Sequence, residues 1–176
     1  MSDINTGDQT PADTNGANGA QAQKPPVFGI VSQYVKDLSF ENPRAPQTIG
    51  KPLPGNGIKI ELNVNSRKLA GDQEGHYEVE LKVNARAGEG DETAFALELL
   101  YGGVVRVENV PDQNVHPLVT IEGPRLLFPF VRQILADATR NGGYPPLYID
   151  PIDFAQLYRQ RLQQQQAAMK SATQTA

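Results

Sequence analysis

The residues able to carry acid–base, nucleophilic or metal chemistry are few. The chain has no cysteine and two histidines, His76 and His116, so it has no thiolate nucleophile, disulfide framework or sulfur ligand for a metal. His76 precedes an apolar run, and His116 reads as a loop residue before Pro117. A zinc site would have to be completed by carboxylates, because a third imidazole or a thiolate does not exist. Carboxylates gather at Asp72 and Glu74, at Glu89, Asp91 and Glu92, and at Asp150 and Asp153. The first two groups lie in glycine-containing turns, where acids serve local hydrogen bonding, and none has calcium-loop spacing. The phosphate loop, the dinucleotide glycine pattern, the nucleophile elbow and the HExxH helix are missing too. The residues thus offer no recognisable catalytic, metal or cofactor motif, and much of enzymology is excluded.

Charge and length narrow the partners. Sixteen Lys and Arg against twenty Asp and Glu leave a net charge of −4 and a pI near 5.2, which argues against a nucleic-acid backbone as ligand. At 176 residues and 19.2 kDa the chain holds one domain with its own core. No apolar run approaches the ~18 residues of a membrane-spanning helix, so direct membrane insertion is not expected. Residues 1–24 have no basic residue before Lys24 and no apolar stretch, unlike a secretory or transit peptide. A cytoplasmic location is the default.

The elements that must hold a binding surface follow from periodicity. Residues 1–24 are too poor in aromatic and branched side chains to fold and read as a disordered tail. Residues 25–165 form the folded unit, and residues 166–176 read as a frayed end to the last helix. Strict alternation marks strands at Ile58, Ile60, Leu62 and Val64, and at Tyr77, Val79, Leu81 and Val83. A further strand runs from near Thr93 through Gly102 and Gly103, and the GEGD turn at Gly88 to Asp91 joins it to its predecessor as a hairpin. The first strand covers Phe28 to Glu41, with Phe28, Ile30, Tyr34, Leu38 and Phe40 on the inward parity. From Asn42 to Gly57 four prolines and three glycines make a long irregular loop.

Helical spacing runs from Leu127 to Arg140, with Pro129 in the first turn and a left-handed cap within Asn141 to Gly143. A second helix starts behind Asp153 as N-cap. Four strands followed by two helices predict an α+β fold, a four-stranded antiparallel sheet with both C-terminal helices on one face. The other face presents Asp37, Glu41, Glu61, Glu78, Glu80 and Glu98 against Lys59 and Lys82, so the net negative charge is expected there. On the first helix Leu127, Phe130, Val131, Ile134, Leu135 and Ala138 span an arc of roughly 160°, wider than the ~100° that covers one sheet. A second copy of the chain is the expected user of the surplus.

Three dense runs, YVKDLSFENPRAP (Tyr34 to Pro46), DETAFALELLYGGVVRVENVP (Asp91 to Pro111) and LLFPFVRQILADATRNGGYPPLYIDPIDFAQLY (Leu126 to Tyr158), resemble SecB, the export chaperone family of Gram-negative bacteria. The resemblance implies a homotetramer, built as a dimer of dimers with the long helices sandwiched between them. It implies a chaperone without enzymatic activity that keeps preproteins unfolded and passes them to the SecA ATPase. The loop Asn42 to Gly57 would be the crossover loop, and Ile49, Leu53, Ile58, Tyr144, Phe154, Leu157 and Tyr158 would line the client groove. Asp37, Glu41, Ala96 and Glu98 match positions that contact the basic, zinc-containing SecA tail. Ala96 stands where better-known members carry a larger apolar residue, and Leu53 where an aromatic can occur. The nearest rival is a SecB-like chaperone dedicated to a toxin–antitoxin pair; a small-ligand or hydrolytic domain would need convergent polar groups that the sequence does not offer.

Overall fold

The computed structural model describes residues 24–53, 57–71 and 74–174. The tail expected over residues 1–24 lies outside these except for Lys24, as do Pro54, Gly55 and Asp72. Four strands, β1 (Val27–Glu41), β2 (Ile58–Lys68), β3 (His76–Ala87) and β4 (Phe95–Glu108), are followed by helices α1 (Asp112–Asn141) and α2 (Phe154–Gln174). The strands form one antiparallel sheet in the order β1-β4-β3-β2. β3 and β4 are the expected hairpin. β1 and β2 are opposite edges, so residues 42–57 must cross the full width of the sheet, which is why that connection is long.

The core lies between one sheet face and α1. Val79, Leu81, Val83, Leu97, Leu99 and Val105 from the two central strands meet Val119, Leu127, Val131 and Leu135 of the helix, all essentially fully buried. Two glycines set the helix–sheet distance. A Cβ on Gly103 would come within 2.7 Å of a Leu127 methyl, and one on Gly123 within 2.8 Å of Val79. The hydrogen there lets the helix approach closely.

The structure departs from the pattern-based reading in two places. Helix α1 begins at Asp112 instead of Leu127, and it carries Pro117, Pro124 and Pro129 within it. Each proline removes a helical donor, but Val119, Gly123, Pro124 and Leu127 are buried along this stretch, and tertiary burial outweighs local propensity. His116 is therefore a helical residue. The cap after α1 is as expected, with Gly143 at φ +86°, and Asp153 Oδ1 accepts the Gln156 amide at 2.9 Å to start α2. That helix runs through Gln174.

The second departure is in β1. Its register against β4 shifts between Ile30 and Ser32 and again between Val35 and Asp37. Each bulge reverses the alternation of side chains, so the two cancel outside the interval and invert it within. Tyr34, expected inward with Ile30 and Leu38, sits opposite Gly102 on the outward face, while Val35 pairs with Tyr101 on the helix face. Gly102 makes room for the tyrosine ring, since a Cβ there would come within 2.8 Å of it.

Because Leu127 is fully buried and the Ser32 carbonyl lies 3.3 Å from the same point, Gly103→Ala has nowhere to put its methyl. We expect it to cost about 1–3 kcal/mol, read as a lower urea midpoint with an unchanged far-UV spectrum.

Candidate functional site

Three surfaces emerge from this frame. Among the described residues no group of three or more His, Cys, Asp or Glu could hold a metal. The histidines serve joints: His116 Nδ1 lies 3.1 Å from the Tyr158 hydroxyl between the two helices, and His76 Nδ1 lies 3.1 Å from the Glu74 carbonyl.

The first surface is the outward sheet face. Register places Asp37, Glu41, Glu61, Glu78, Glu80, Glu98 and Glu108 on it, but also Lys36, Lys59, Arg67, Lys82, Arg86 and Arg106. The expectation that the net charge lies there is thus corrected: the bulge adds Lys36, and Arg67, Arg86 and Arg106 also face this side, so the acids are nearly balanced. What is uneven is the pairing. Lys59 pairs with Glu89 and Arg106 with Glu108. Lys36, Arg67, Glu78 and Glu80 form one cluster. Among the described residues Asp37, Glu41, Glu61 and Glu98 are in no ion pair. Asp37 opposes Leu100, Ser39 opposes Glu98, and Glu41 opposes Ala96. The structure therefore brings the four predicted partner-contact residues together on two adjacent strands, three carboxylates around a small apolar floor. A depression of about 230 Å³ beside them is lined by Glu61, Asn84, Arg86, Ala96 and Glu98.

At the centre of this face Glu78 is 3% exposed. Its Oε1 accepts the Tyr34 hydroxyl at 2.6 Å and Lys36 Nζ at 3.1 Å, and its Oε2 accepts Arg67 Nε at 2.7 Å. Lys36 Nζ also donates to Glu80 at 2.5 Å. The Tyr34 bond first, then those of Lys36 and Arg67, hold the Glu78 carboxyl below the usual glutamate range against the opposing effect of burial. Burial first, then the bond to Glu78, push the Tyr34 phenol up.

The second surface is apolar and follows the β1 edge onto the flank of α1. Val31 is 58% exposed, Val35 and Leu38 46%, Leu126 41% and Phe130 40%. Tyr101 joins the two halves, since it pairs with Val35 and its ring stacks on Phe130 at 6.5 Å between centroids. Of the six helix residues read as an oligomer interface, Leu127, Val131 and Leu135 are fully buried against the protomer's own sheet; Phe130 stands out from it, and Ile134 and Ala138 are half-buried.

The third surface combines the crossover segment with the helix joint, and it divides the seven groove residues into two groups. Near the α1 C-terminus the Tyr144 hydroxyl donates to Asn42 Oδ1 at 2.8 Å and lies 2.8 Å from Thr48 Oγ1, while Asn42 Nδ2 donates to the Gly142 carbonyl at 3.0 Å. These bonds moor the start of the loop to the helix end. Tyr144 is buried with Phe95, against which Phe40, Leu53 and Ile58 pack; Ile49, 38% exposed, lies over Gly143. At the other end Phe154 is buried edge-on to Phe128, with Leu157 and Tyr158 half-buried beside it.

Sequence reasoning missed Val31, Val35 and Leu126 as exposed apolar residues and Tyr34, Lys36 and Glu78 as a cluster. The adjacent apolar pairs Ile30–Val31 and Tyr34–Val35 break strict alternation and were the available signal for bulges.

Comparison with known proteins gives a consistent result. The family model described as "Preprotein translocase subunit SecB" matches residues 21–165. "Protein-export protein SecB" of Azorhizobium caulinodans is 50% identical over 149 residues, covering 85% of this chain and 91% of the relative. The proteins of that name from Afipia carboxidovorans and Beijerinckia indica are 51% and 52% identical, covering 87% and 86% of this chain and 92% of each relative. A solved SecB-like chaperone from Mycobacterium tuberculosis, in complex with an antitoxin peptide, aligns with a TM-score of 0.53 at 14% identity, over 71% of this chain and 90% of its own; that likeness speaks to the fold. Among the described residues no helix is long and apolar enough to cross a membrane.

A carboxyl whose pKa is lowered on folding adds stability that is complete above the unfolded glutamate range and is lost as pH falls through the folded value. Glu78→Gln is therefore expected to cost about 1–3 kcal/mol near neutrality. Urea midpoints of variant and wild type should draw together as pH falls below the usual glutamate range and through the lowered folded value.

Proposed function

This chain belongs to the SecB family and is a protein-export chaperone, and on that premise we propose that it works as a cytoplasmic homotetramer that holds unfolded preproteins by binding alone, without enzymatic activity, and delivers them to SecA. The observation that carries this reading is the apolar surface that the folded protomer leaves uncovered on the β1 edge and α1 flank. A lone protomer would be expected to aggregate through such an edge. Sister copies would cover it, with Val31, Val35, Leu38, Leu126, Phe130 and Ile134 as the interface.

Clients would occupy the third surface, with Ile49, Leu53, Ile58, Leu157 and Tyr158 offering apolar contact and Tyr144 and Phe154 forming its buried floor. Burying three or four client side chains yields a gross ~5–12 kcal/mol, from which ordering a flexible segment removes ~2–5 or more. Each site then binds weakly enough to release. Tight holding would come from several protomers engaging one long chain. A folded client, its apolar side chains already buried, would not be held.

The unpaired carboxylates Asp37, Glu41 and Glu98 around Ala96 would receive the basic SecA tail. Opposite charge speeds such an encounter and makes it salt-sensitive. Dedication to a toxin–antitoxin pair is not favoured, because relatives near 50% identity carry the export name, whereas the antitoxin-bound structure is 14% identical.

Two measurements test this. Native mass should be four times the 19.2 kDa chain mass, and Val35→Asp with Phe130→Asp should break the assembly into smaller species; an unchanged tetramer would reject the assigned interface. Replacing Asp37, Glu41 and Glu98 together by Lys should abolish SecA binding and leave retention of an unfolded client unchanged, and equal loss of both would count against separate surfaces.

A further inference from the structure

One of the acids assigned to docking, Asp37, lies next to a cation that should neutralise it. The bulge at Val35/Asp37 leaves Lys36 without a partner in the β4 register, and Lys36 reaches the same outward face on which Asp37 opposes Leu100. A flexible lysine beside a carboxylate on one face would ordinarily pair with it. Instead its ammonium is turned along the sheet and held by Glu78 at 3.1 Å and Glu80 at 2.5 Å. Arg67, 65% exposed, is likewise drawn onto Glu78 at 2.6 Å. The arrangement is built rather than incidental: Glu78 uses both oxygens, and Tyr34 reaches it only because the two bulges turn that ring outward over Gly102.

We propose that Glu78 and Glu80 are positioning residues for partner docking: they sequester the Lys36 ammonium, so that Asp37 remains unpaired for the basic segment. This rests on the docking reading above. Neither glutamate is among the residues assigned to touch the partner. The cluster of Lys36, Arg67, Glu78 and Glu80 is neutral as a whole, so its effect on the docking acids is local, through where one lysine points. Lys82 and Arg86 also face this side without ion partners among the described residues. Lys82 is separated from Asp37 by β4, about 10 Å across two strand spacings, whereas Lys36 is its chain neighbour.

The test is a thermodynamic cycle read as the dissociation constant for a zinc-loaded synthetic SecA tail peptide, titrated into the full-length chain at about 0.15 M salt, where fields are screened beyond ~8 Å. Lys36→Gln alone should stay within about twofold of wild type. Glu78→Gln with Glu80→Gln should weaken binding about fivefold or more, the size of a coupling near 1 kcal/mol. Adding Lys36→Gln to that pair should restore affinity to within about twofold. Should Glu78→Gln fail to fold, Glu80→Gln alone and with Lys36→Gln gives the same contrast in smaller measure. A triple variant no tighter than the double, or a lysine substitution that strengthens wild type as much as it strengthens the double, would overturn the inference. If reversal of Asp37, Glu41 and Glu98 abolishes binding but the glutamine pair binds as wild type, the inference fails and the docking reading stands. If that reversal has no effect, both fail.

Discussion

The sheet order β1-β4-β3-β2 is the constraint on which the rest depends. It puts the fifteen-residue first strand at an edge, with its hydrogen-bonding groups open on one side and its apolar side chains on a flank that α1 does not cover. Natural sheets blunt such an edge or pair it. This one carries two bulges and a lysine, yet keeps Val31, Val35 and Leu38 exposed, and that is why the edge is the one proposed above for a sister copy. The same order forces the connection from β1 to β2 across the sheet, and that crossing supplies the irregular apolar loop assigned to clients.

A holding chaperone has to keep its apolar surfaces from satisfying one another. Here the fold separates them. The wide arc of α1 is divided, with Leu127, Val131 and Leu135 spent on the protomer's own sheet and Phe130 left over. The loop is moored at Asn42, Thr48 and Tyr144 by hydrogen bonds, so Ile49 can remain exposed without the segment collapsing onto the core. Partly buried polar contacts of this kind fix geometry at small net stability, which would suit the client surface proposed above.

Much of the fold could be read from period-two patterns alone. The four strands, the hairpin, the Asp153 cap and the left-handed Gly143 follow from local chemistry. The first half of α1 could not be read that way, because Pro117, Pro124 and Pro129 argue locally against a helix that only burial against the sheet stabilises. Nor could the outward charge balance, since a one-residue bulge decides which face Lys36 and Tyr34 occupy. The partner and client residues came from resemblance, and their spatial grouping came from register. Asp37, Glu41 and Glu98 are spread over more than sixty residues of chain, and only the β1–β4 pairing makes them one surface.

The double bulge links these observations. A regular β1 would keep Tyr34 inward, where the ring would compete with Phe130 for the space over Tyr101. Two bulges move the ring to the opposite face, open the helix side for Val35, and give Glu78 a hydroxyl donor. One insertion would have inverted everything downstream and carried Asp37 and Glu41 onto the helix face. Two restore the phase while inverting only Ser32 to Val35. The strand thus carries an apolar flank toward one side and carboxylates toward the other, because the irregularity between them has even parity.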